Sequence, residues 1–169
     1  VIITGSIGDH GMALLAAREQ LRLDMDLQSD VAPIWKTVQA ALAHGGVTAM
    51  KDPTRGGLAS ALNDIATRAG VSIWLDQDKI PVKESVRAAS EMLGLDPYEI
   101  TCEGRAVMCV SEKTAEATLD AVRGTKYGRE ATIAGEVKGE HPGYVLLKTR
   151  VGGTRVLEKP IGEPIPRVC

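Results

Sequence analysis

Short apolar runs with strand periodicity alternate along this chain with longer helical patterns, and glycines separate the two. The run 71–75 has the period of two that is typical of a strand, whereas 58–68 and 82–93 have the spacing of helices. From residue 131 onward, short strand patterns between glycine turns predominate. This order predicts a fold of the α/β (α+β) class, in which a mixed β-sheet packs against helices on its face or faces.

Charge and aromatic content exclude several kinds of partner. Twenty basic residues against 22 acidic ones give a net charge of -2, so we expect no basic surface for nucleic acid or for an anionic membrane. The chain has no phenylalanine, and its two tryptophans and three tyrosines supply few platforms for base stacking. Its core must therefore be aliphatic. The apolar run around Leu14 is far shorter than the ~18 residues of a membrane-spanning helix.

The cysteines and histidines indicate neither a disulfide framework nor a metal site. Cys102, Cys109 and Cys169 are odd in number and contain no Cys-x-x-Cys pair. The apolar surroundings of the first two predict small buried side chains, and reduced thiols fit a cytoplasmic protein. The histidines have no metal-ligand spacing, so we expect surface or helix-cap positions for His10, His44 and His141.

Cys169 is the last residue, and it follows a segment rich in proline. Three prolines between residues 160 and 166 favour an extended backbone, so the segment 160–169 can span roughly 28 Å at about 3.1 Å per residue. Two interpretations stay open, a frayed chain end or an arm that carries a thiol into a pocket. We expect a domain over residues 1–159 and a mobile tail over residues 160–169.

Residues 51–58, with the sequence Lys-Asp-Pro-Thr-Arg-Gly-Gly-Leu, join a strand pattern to a helical one. The first N–H groups of a helix are unpaired and its dipole favours negative charge there, so the segment is suited to a phosphate. Its spacing is neither that of a Walker loop nor that of a dinucleotide fingerprint, and a plain loop with a helix cap is the alternative. The candidate binding residues are Asp52, Thr54, Arg55, Gly56 and Gly57.

A second candidate site precedes the predicted buried strand at 105–110. There, Glu103 and Gly104 would place a carboxylate at the edge of a cleft. Such a loop carboxylate can act as a catalytic base, or it can simply be solvated.

Four segments together resemble the carboxyl-terminal half of the HypE family of hydrogenase maturation proteins. They are 8–13, 51–58, 101–104 and 166–169. That family belongs to a superfamily of ATP-using enzymes with aminoimidazole ribonucleotide synthetase and selenophosphate synthetase, which share the Asp-x-Thr-x-Gly-Gly-Leu pattern in looser form. The terminal Pro-Arg-x-Cys is specific to HypE, although valine here stands where isoleucine is usual. The resemblance spans nearly the whole chain and implies the carboxyl-terminal domain fold of aminoimidazole ribonucleotide synthetase.

The resemblance implies a reaction on the protein's own tail. Cys169 would receive a carbamoyl group from the carbamoyltransferase HypF, and ATP with Mg²⁺ would drive its dehydration to a thiocyanate. The cyanide would then pass to the iron carried by HypC and HypD for the [NiFe]-hydrogenase active site. Glu103 is the first candidate for the base that takes protons from nitrogen, Asp52 is its competitor, and Arg167 would steady the thiolate or the added anion.

The chain opens at Val1, within what reads as a strand already under way. We therefore expect a fragment that lacks the family's amino-terminal domain, which carries most ATP- and Mg²⁺-binding residues and much of the homodimer contact. Such a fragment should fold but be inactive alone. Two alternatives are a sister ATP enzyme of small-molecule metabolism, of the purine or selenophosphate type, which has no need of a terminal cysteine, and a non-enzymatic docking module.

Overall fold

A computed structural model describes residues 1–19 and 25–162. The helices of these ranges are α1 (Asp9–Arg18), α2 (Trp35–Ala43), α3 (Gly57–Ala69), α4 (Glu84–Leu93) and α5 (Ala115–Arg123). The strands are β1 (Ile2–Ile3), β2 (Val47–Lys51), β3 (Ser72–Asp76), β4 (Val107–Val110), β5 (Thr132–Ile133), β6 (Gly135–Lys138), β7 (Val145–Lys148) and β8 (Thr154–Val156). Single 3-10 turns cover Gln77–Lys79, Pro97–Glu99 and Glu112–Thr114. The predicted α/β class, with mixed strands and packed helices, is confirmed.

The strands form two sheets rather than one. The first has the order β2-β4-β1-β5 and is antiparallel throughout, and the second has the order β6-β3-β7-β8 with a parallel pair, β3 and β7. The single strand predicted over 131–137 is divided between them, because the chain crosses from one sheet to the other at Ala134. A Cβ on the next residue, Gly135, would lie 2.1 Å from the carbonyl oxygen of Trp74, so a side chain there would prevent this close approach.

Alternation along β1 and β4 produces a core on each face of the first sheet. Ile3 and Val107 are register partners and belong to the core that also contains side chains of the second sheet and α3. The next pair, Ile2 and Met108, belongs to the core under α2 and α5. These cores are mostly aliphatic, as the absence of phenylalanine predicts.

The boundaries of α2 and α3 differ in how well they follow the prediction. The helix predicted over 32–44, with Pro33 in its first turn, begins only at Trp35. In contrast, α3 extends the predicted 58–68 by one residue at each end and stops at Gly70, whose φ of 64° is the left-handed cap expected there. None of the described helices combines the length and apolar character that crossing a bilayer requires.

Candidate functional site

The three internal motifs singled out in the sequence meet at the start of α3. The N–H of Cys102 donates to the carbonyl oxygen of Pro53 at 3.1 Å, and the hydroxyl of Thr101 donates to the carbonyl oxygen of Thr54. The N–H of Gly11 in turn donates to the carbonyl oxygen of Thr101 at 3.0 Å. The motif at 101–104 therefore lies between the motifs at 8–13 and 51–58 and is hydrogen-bonded to both.

The paired glycines let α3 begin directly against a backbone turn. A Cβ on Gly57 would lie 2.6 Å from the carbonyl oxygens of Tyr98 and Ile100, and both Gly56 and Gly57 have positive φ, at 70° and 60°. A side chain at Gly57 would force the helix away from this turn. Gly57 is buried behind the site and supports it, whereas the other four predicted binding residues line a cavity.

This cavity has a volume of about 480 Å³ and lies beside the first turn of α3. Its three basic side chains against two acidic ones leave one net positive charge, and the N-cap residue of the helix, Gly56, has no side chain to cap the first N–H groups. Uncapped N–H groups and excess positive charge favour an anion. The residues that line the cavity are Lys51, Asp52, Thr54, Arg55, Gly56, Ser60, Asp64, Lys159, Pro160 and Gly162.

The segment that leads to the terminal cysteine starts in this cavity. Pro160 and Gly162 belong to its lining, and a Cβ on Gly56 would lie 3.0 Å from Cγ of Pro160. Arg167 and Cys169 lie outside the described residues, so the mobile tail over 160–169 stays a prediction.

Asp64, on α3, is a cavity residue that no sequence motif marks. Its carboxylate forms ion pairs with Lys51 of β2 and with Lys159, the latter at 3.0 Å. Hydrogen bonds from Lys51 and then Lys159 hold the pKa of the Asp64 carboxyl below its ordinary value. The three residues are far apart in the chain, so local spacing could not have revealed them.

Glu103 is held through its backbone by a buried aspartate. Its N–H donates to Oδ1 of Asp30 at 3.0 Å, and the side chain of Asp30 is completely buried. Gly104 makes this approach possible, because a Cβ there would lie 1.8 Å from the carbonyl oxygen of Asp30. Oε1 of Glu103 is buried and has no hydrogen-bond partner among the described residues. A carboxylate oxygen in that position is available to accept a proton.

A network of buried charges lies behind Glu103. Nε of Arg105 lies 3.6 Å from Oδ2 of Asp30 and donates to the carbonyl oxygen of Ser6 at 2.9 Å. Nη2 of Arg105 lies 3.9 Å from Oδ2 of Asp9, whose other oxygen lies 3.0 Å from Nζ of Lys83. Asp9 lies within the sequence motif at 8–13, whereas no local motif marks Asp30 or Lys83.

The remaining cysteine and histidine predictions are resolved by burial. Cys102 and Cys109 are buried, as predicted, and burial raises the pKa of both thiols, which keeps them protonated. His44 and His141 are exposed, but His10 is buried in the first turn of α1, so a surface position was the wrong expectation for it. Within the described ranges, no group of three His, Cys, Asp or Glu side chains is placed to hold a metal ion.

Comparison with known sequences identifies the family. The family described as AIR synthase related protein, C-terminal domain, matches residues 1–148. A hydrogenase expression/formation protein of Methanocaldococcus jannaschii is 45% identical over 170 residues, which cover all of this chain and 50% of the relative. The carbamoyl dehydratase HypE of Rhizobium leguminosarum bv. viciae is 42% identical over 171 residues, which cover all of this chain and 49% of the relative.

Solved structures give the same result. A crystal structure of the hydrogenase maturation protein HypE matches with a TM-score of 0.94 and 38% identity over 99% of this chain and 55% of that one. HypE in complex with ATP matches at 0.90 and 36%, over 96% and 51% of the two chains, and a HypE-HypF complex at 0.90 and 39%, over 94% and 52%. The chain thus spans about half the length of the relatives that it matches.

Proposed function

The chain belongs to the family of AIR synthase related proteins, as their C-terminal domain, and we propose that it is half of a HypE-type carbamoyl dehydratase of hydrogenase maturation. One observation carries this proposal. Pro160 and Gly162, which lead to the terminal cysteine, line the same cavity as the predicted anion-binding residues. A sister enzyme that acts on a free small molecule would have no need of a terminal cysteine on this segment.

The proposed substrate is a carbamoyl group on the sulfur of Cys169, and the product is a thiocyanate on the same sulfur. The carbamoyl oxygen leaves as part of inorganic phosphate, two protons leave the nitrogen, and the carbon–nitrogen bond becomes triple. The thioester plus ATP therefore yields the thiocyanate, ADP, phosphate and one proton. ATP, when bound, supplies the phosphoryl group that turns a poor leaving group into a good one.

The start of α3 is suited to hold the transferred phosphoryl group. Gly56, at the start of the helix, lines the cavity, and so do Thr54 with its hydroxyl and Arg55 with its guanidinium. A guanidinium contributes a planar fork of donors that matches phosphate oxygens. These groups would orient the phosphate and stabilise the charge that develops on it.

Glu103 is the preferred base, and Asp52 is assigned a supporting role. Glu103 has a buried oxygen without a partner among the described residues, and its backbone is fixed by Asp30. Asp52 is exposed at the cavity, where water competes for its carboxylate. Asp52 can contribute one oxygen ligand to Mg²⁺, and we assign most of the remaining protein ligands to the other half of the protein.

The site is expected to be complete only in a protein of the relatives' full length. The relatives are about twice as long as this chain, and we assign to the other half most of the ATP and Mg²⁺ contacts and the homodimer contact. This chain alone would then be inactive. A HypE-HypF complex among the structural relatives supports HypF as the donor of the carbamoyl group. The cyanide would pass to the iron held by HypC and HypD, in the cytoplasm.

The test uses the full-length protein with HypF, carbamoyl phosphate and ATP. The carboxyl-terminal peptide, followed by mass spectrometry, should gain one carbamoyl group on Cys169 and then lose one water. The control is Cys169→Ala, which should stay unmodified. An unmodified wild-type peptide, under conditions in which a known carbamoyl dehydratase is modified, would contradict the proposal.

A further inference from the structure

Three contacts attach the described part of the segment after β8 to the middle of α3 and to its N-cap. Nδ2 of Asn63 donates to the carbonyl oxygen of Leu157 at 2.8 Å, and Nζ of Lys159 lies 3.0 Å from Oδ1 of Asp64. Pro160 then packs at Gly56, at the rim of the cavity. Regular strand pairing ends at Val156 and Leu157 makes a last backbone hydrogen bond to β7, so beyond Leu157 the contacts of Lys159 and Pro160 determine where the described part of the segment leaves the sheet.

The two α3 side chains are themselves held in place. Nδ2 of Asn63 also donates to the carbonyl oxygen of Ala59 at 2.8 Å, one turn earlier in the same helix, so its amide cannot rotate freely. Leu157 is buried, and its N–H donates to the carbonyl oxygen of Val145 at 2.8 Å. Asp64 is fixed from its other side by Lys51 of β2. Asn63, Asp64 and Leu157 are therefore each held by a further contact with a helix or a strand.

We propose that Asn63 and Asp64 are positioning residues for the reaction on the tail. With Leu157 and Lys159 they form what we name the tail anchor, which makes the tail leave the domain at the cavity. This inference rests on the proposed function. It adds that the rate at which the carbamoyl group on the tail is dehydrated depends on two things. One is the set of groups that contact the reacting atoms, and the other is a fixed origin of the tail.

Chain length explains why a fixed origin matters. The seven residues from 163 to Cys169 reach at most about 24 Å beyond Gly162, so the sulfur is confined to a limited volume around the anchor. A reaction within one chain gains its rate from the effective concentration and orientation of the tethered group. Releasing the anchor loosens the segment that follows Leu157. The tail then no longer leaves the domain in a defined direction. A peptide supplied in solution would have no such advantage to lose.

The experiment compares the tail reacting within the protein with the tail supplied as a peptide. Full-length protein, S-carbamoylated at Cys169 with cyanate, is mixed with ATP, and loss of water from the carboxyl-terminal peptide is timed by mass spectrometry. Asn63→Ala removes the hydrogen bonds to Ala59 and Leu157, and loss of the bond to Leu157 should slow this reaction roughly three- to fivefold. The same variant, shortened after Gly162 and given an S-carbamoylated peptide of residues 163–169, should keep kcat/KM within about twofold of the equally shortened wild type.

A matched control separates the anchor from a general effect on helix stability. Ser90 in α4 donates to the carbonyl oxygen of Val86 at 2.7 Å, four residues earlier, so Ser90→Ala removes a comparable bond far from the tail. It should slow neither reaction. Equal slowing of the tethered and free reactions by Asn63→Ala would overturn the proposal, because Asn63 would then support the cavity. No slowing of either would overturn it as well.

A second measurement tests the anchor without the chemistry. A spin label at Ile161→Cys, with the other accessible cysteines replaced by alanine, reports the mobility of the tail's origin, since Ile161 is fully exposed. The label should be restricted in the wild type and in Lys159→Arg, and mobile in Asn63→Ala and Lys159→Gln. Equal mobility in all four overturns the anchor. A restricted label in a protein that does not dehydrate either substrate overturns the proposed function alone.

Discussion

The carboxylates near Glu103 and those of the cavity beside α3 differ in how far they are exposed to water. Behind Glu103, Asp30 and Asp9 are almost completely buried and are paired with cations whose positions the fold determines. At the cavity, the side chain of Lys159 is 58% exposed and that of Asp64 is 25% exposed. Buried pairs are costly to break, whereas exposed pairs contribute little to stability and exchange readily with water or ligand. The difference suggests a rigid support for the base and an adaptable site for phosphate and tail.

The largest effect should come from removing the buried partner of Arg105. Asp30→Ala removes the buried carboxylate that lies 3.6 Å from Nε of Arg105 and that accepts from the N–H of Glu103, and we expect a loss of about 3–5 kcal/mol in the free energy of unfolding. Urea denaturation of the full-length protein measures it. Asp78→Ala, which removes an exposed ion pair with Arg150, is the control and should cost less than about 1 kcal/mol. Similar losses in the two variants would contradict the contrast between the regions.

A second prediction compares the two candidate bases. Glu103→Gln should reduce the rate of dehydration at least a hundredfold, about 2.7 kcal/mol, while ATP still binds. Asp52→Asn should mainly weaken ATP binding. Single-turnover dehydration and ATP titration, measured separately in the full-length protein, distinguish the two roles. The assignment of the base is wrong if Asp52→Asn abolishes dehydration with ATP bound and Glu103→Gln does not.

A third prediction concerns Gly57, which lets the start of α3 pack against the backbone of residues 98–100. Gly57→Ala places a Cβ against the backbone of Tyr98 and Ile100 and requires positive φ of an alanine, so we expect about 1–3 kcal/mol of destabilisation and weaker ATP binding. Gly70→Ala is the matched control. It also has positive φ, but a Cβ there meets nothing within 4 Å. Equal losses would show that φ alone matters, and that the close approach to the turn does not.

The smallest effect should be the pH dependence of the Asp64 ion pairs. The pKa of this carboxyl is lowered in the folded protein, so its stabilisation is present above the unfolded pKa of about 3.9 and is lost as pH falls through the folded pKa. We expect Asp64→Asn to cost less than about 1 kcal/mol at pH 7 and progressively less as pH falls toward the folded pKa. Urea midpoints of the two proteins from pH 7 to pH 3 measure this. A difference that grows on acidification would contradict it.

Much of the fold and part of the site could be predicted from local patterns. The start and end of α3 follow from Gly56, Gly57 and Gly70, since positive φ is costly for other residues. The division of 131–137 between two sheets was missed, because a period of two is the same in either sheet. The late start of α2 was missed as well, since Pro33 is compatible with a first turn but does not require one.

The sequence by itself determined the order of helices and strands, the aliphatic core and the motifs that indicate phosphate and thiol chemistry. These depend on neighbours within a few positions, where backbone geometry limits the choices. Only the tertiary structure decided that Asp30 holds Glu103 from 73 positions away, and that Asp64 pairs with a lysine 95 positions later. Such pairs depend on how the sheets and helices pack, and no local spacing encodes them. The origin of the tail at the cavity is determined by the same packing.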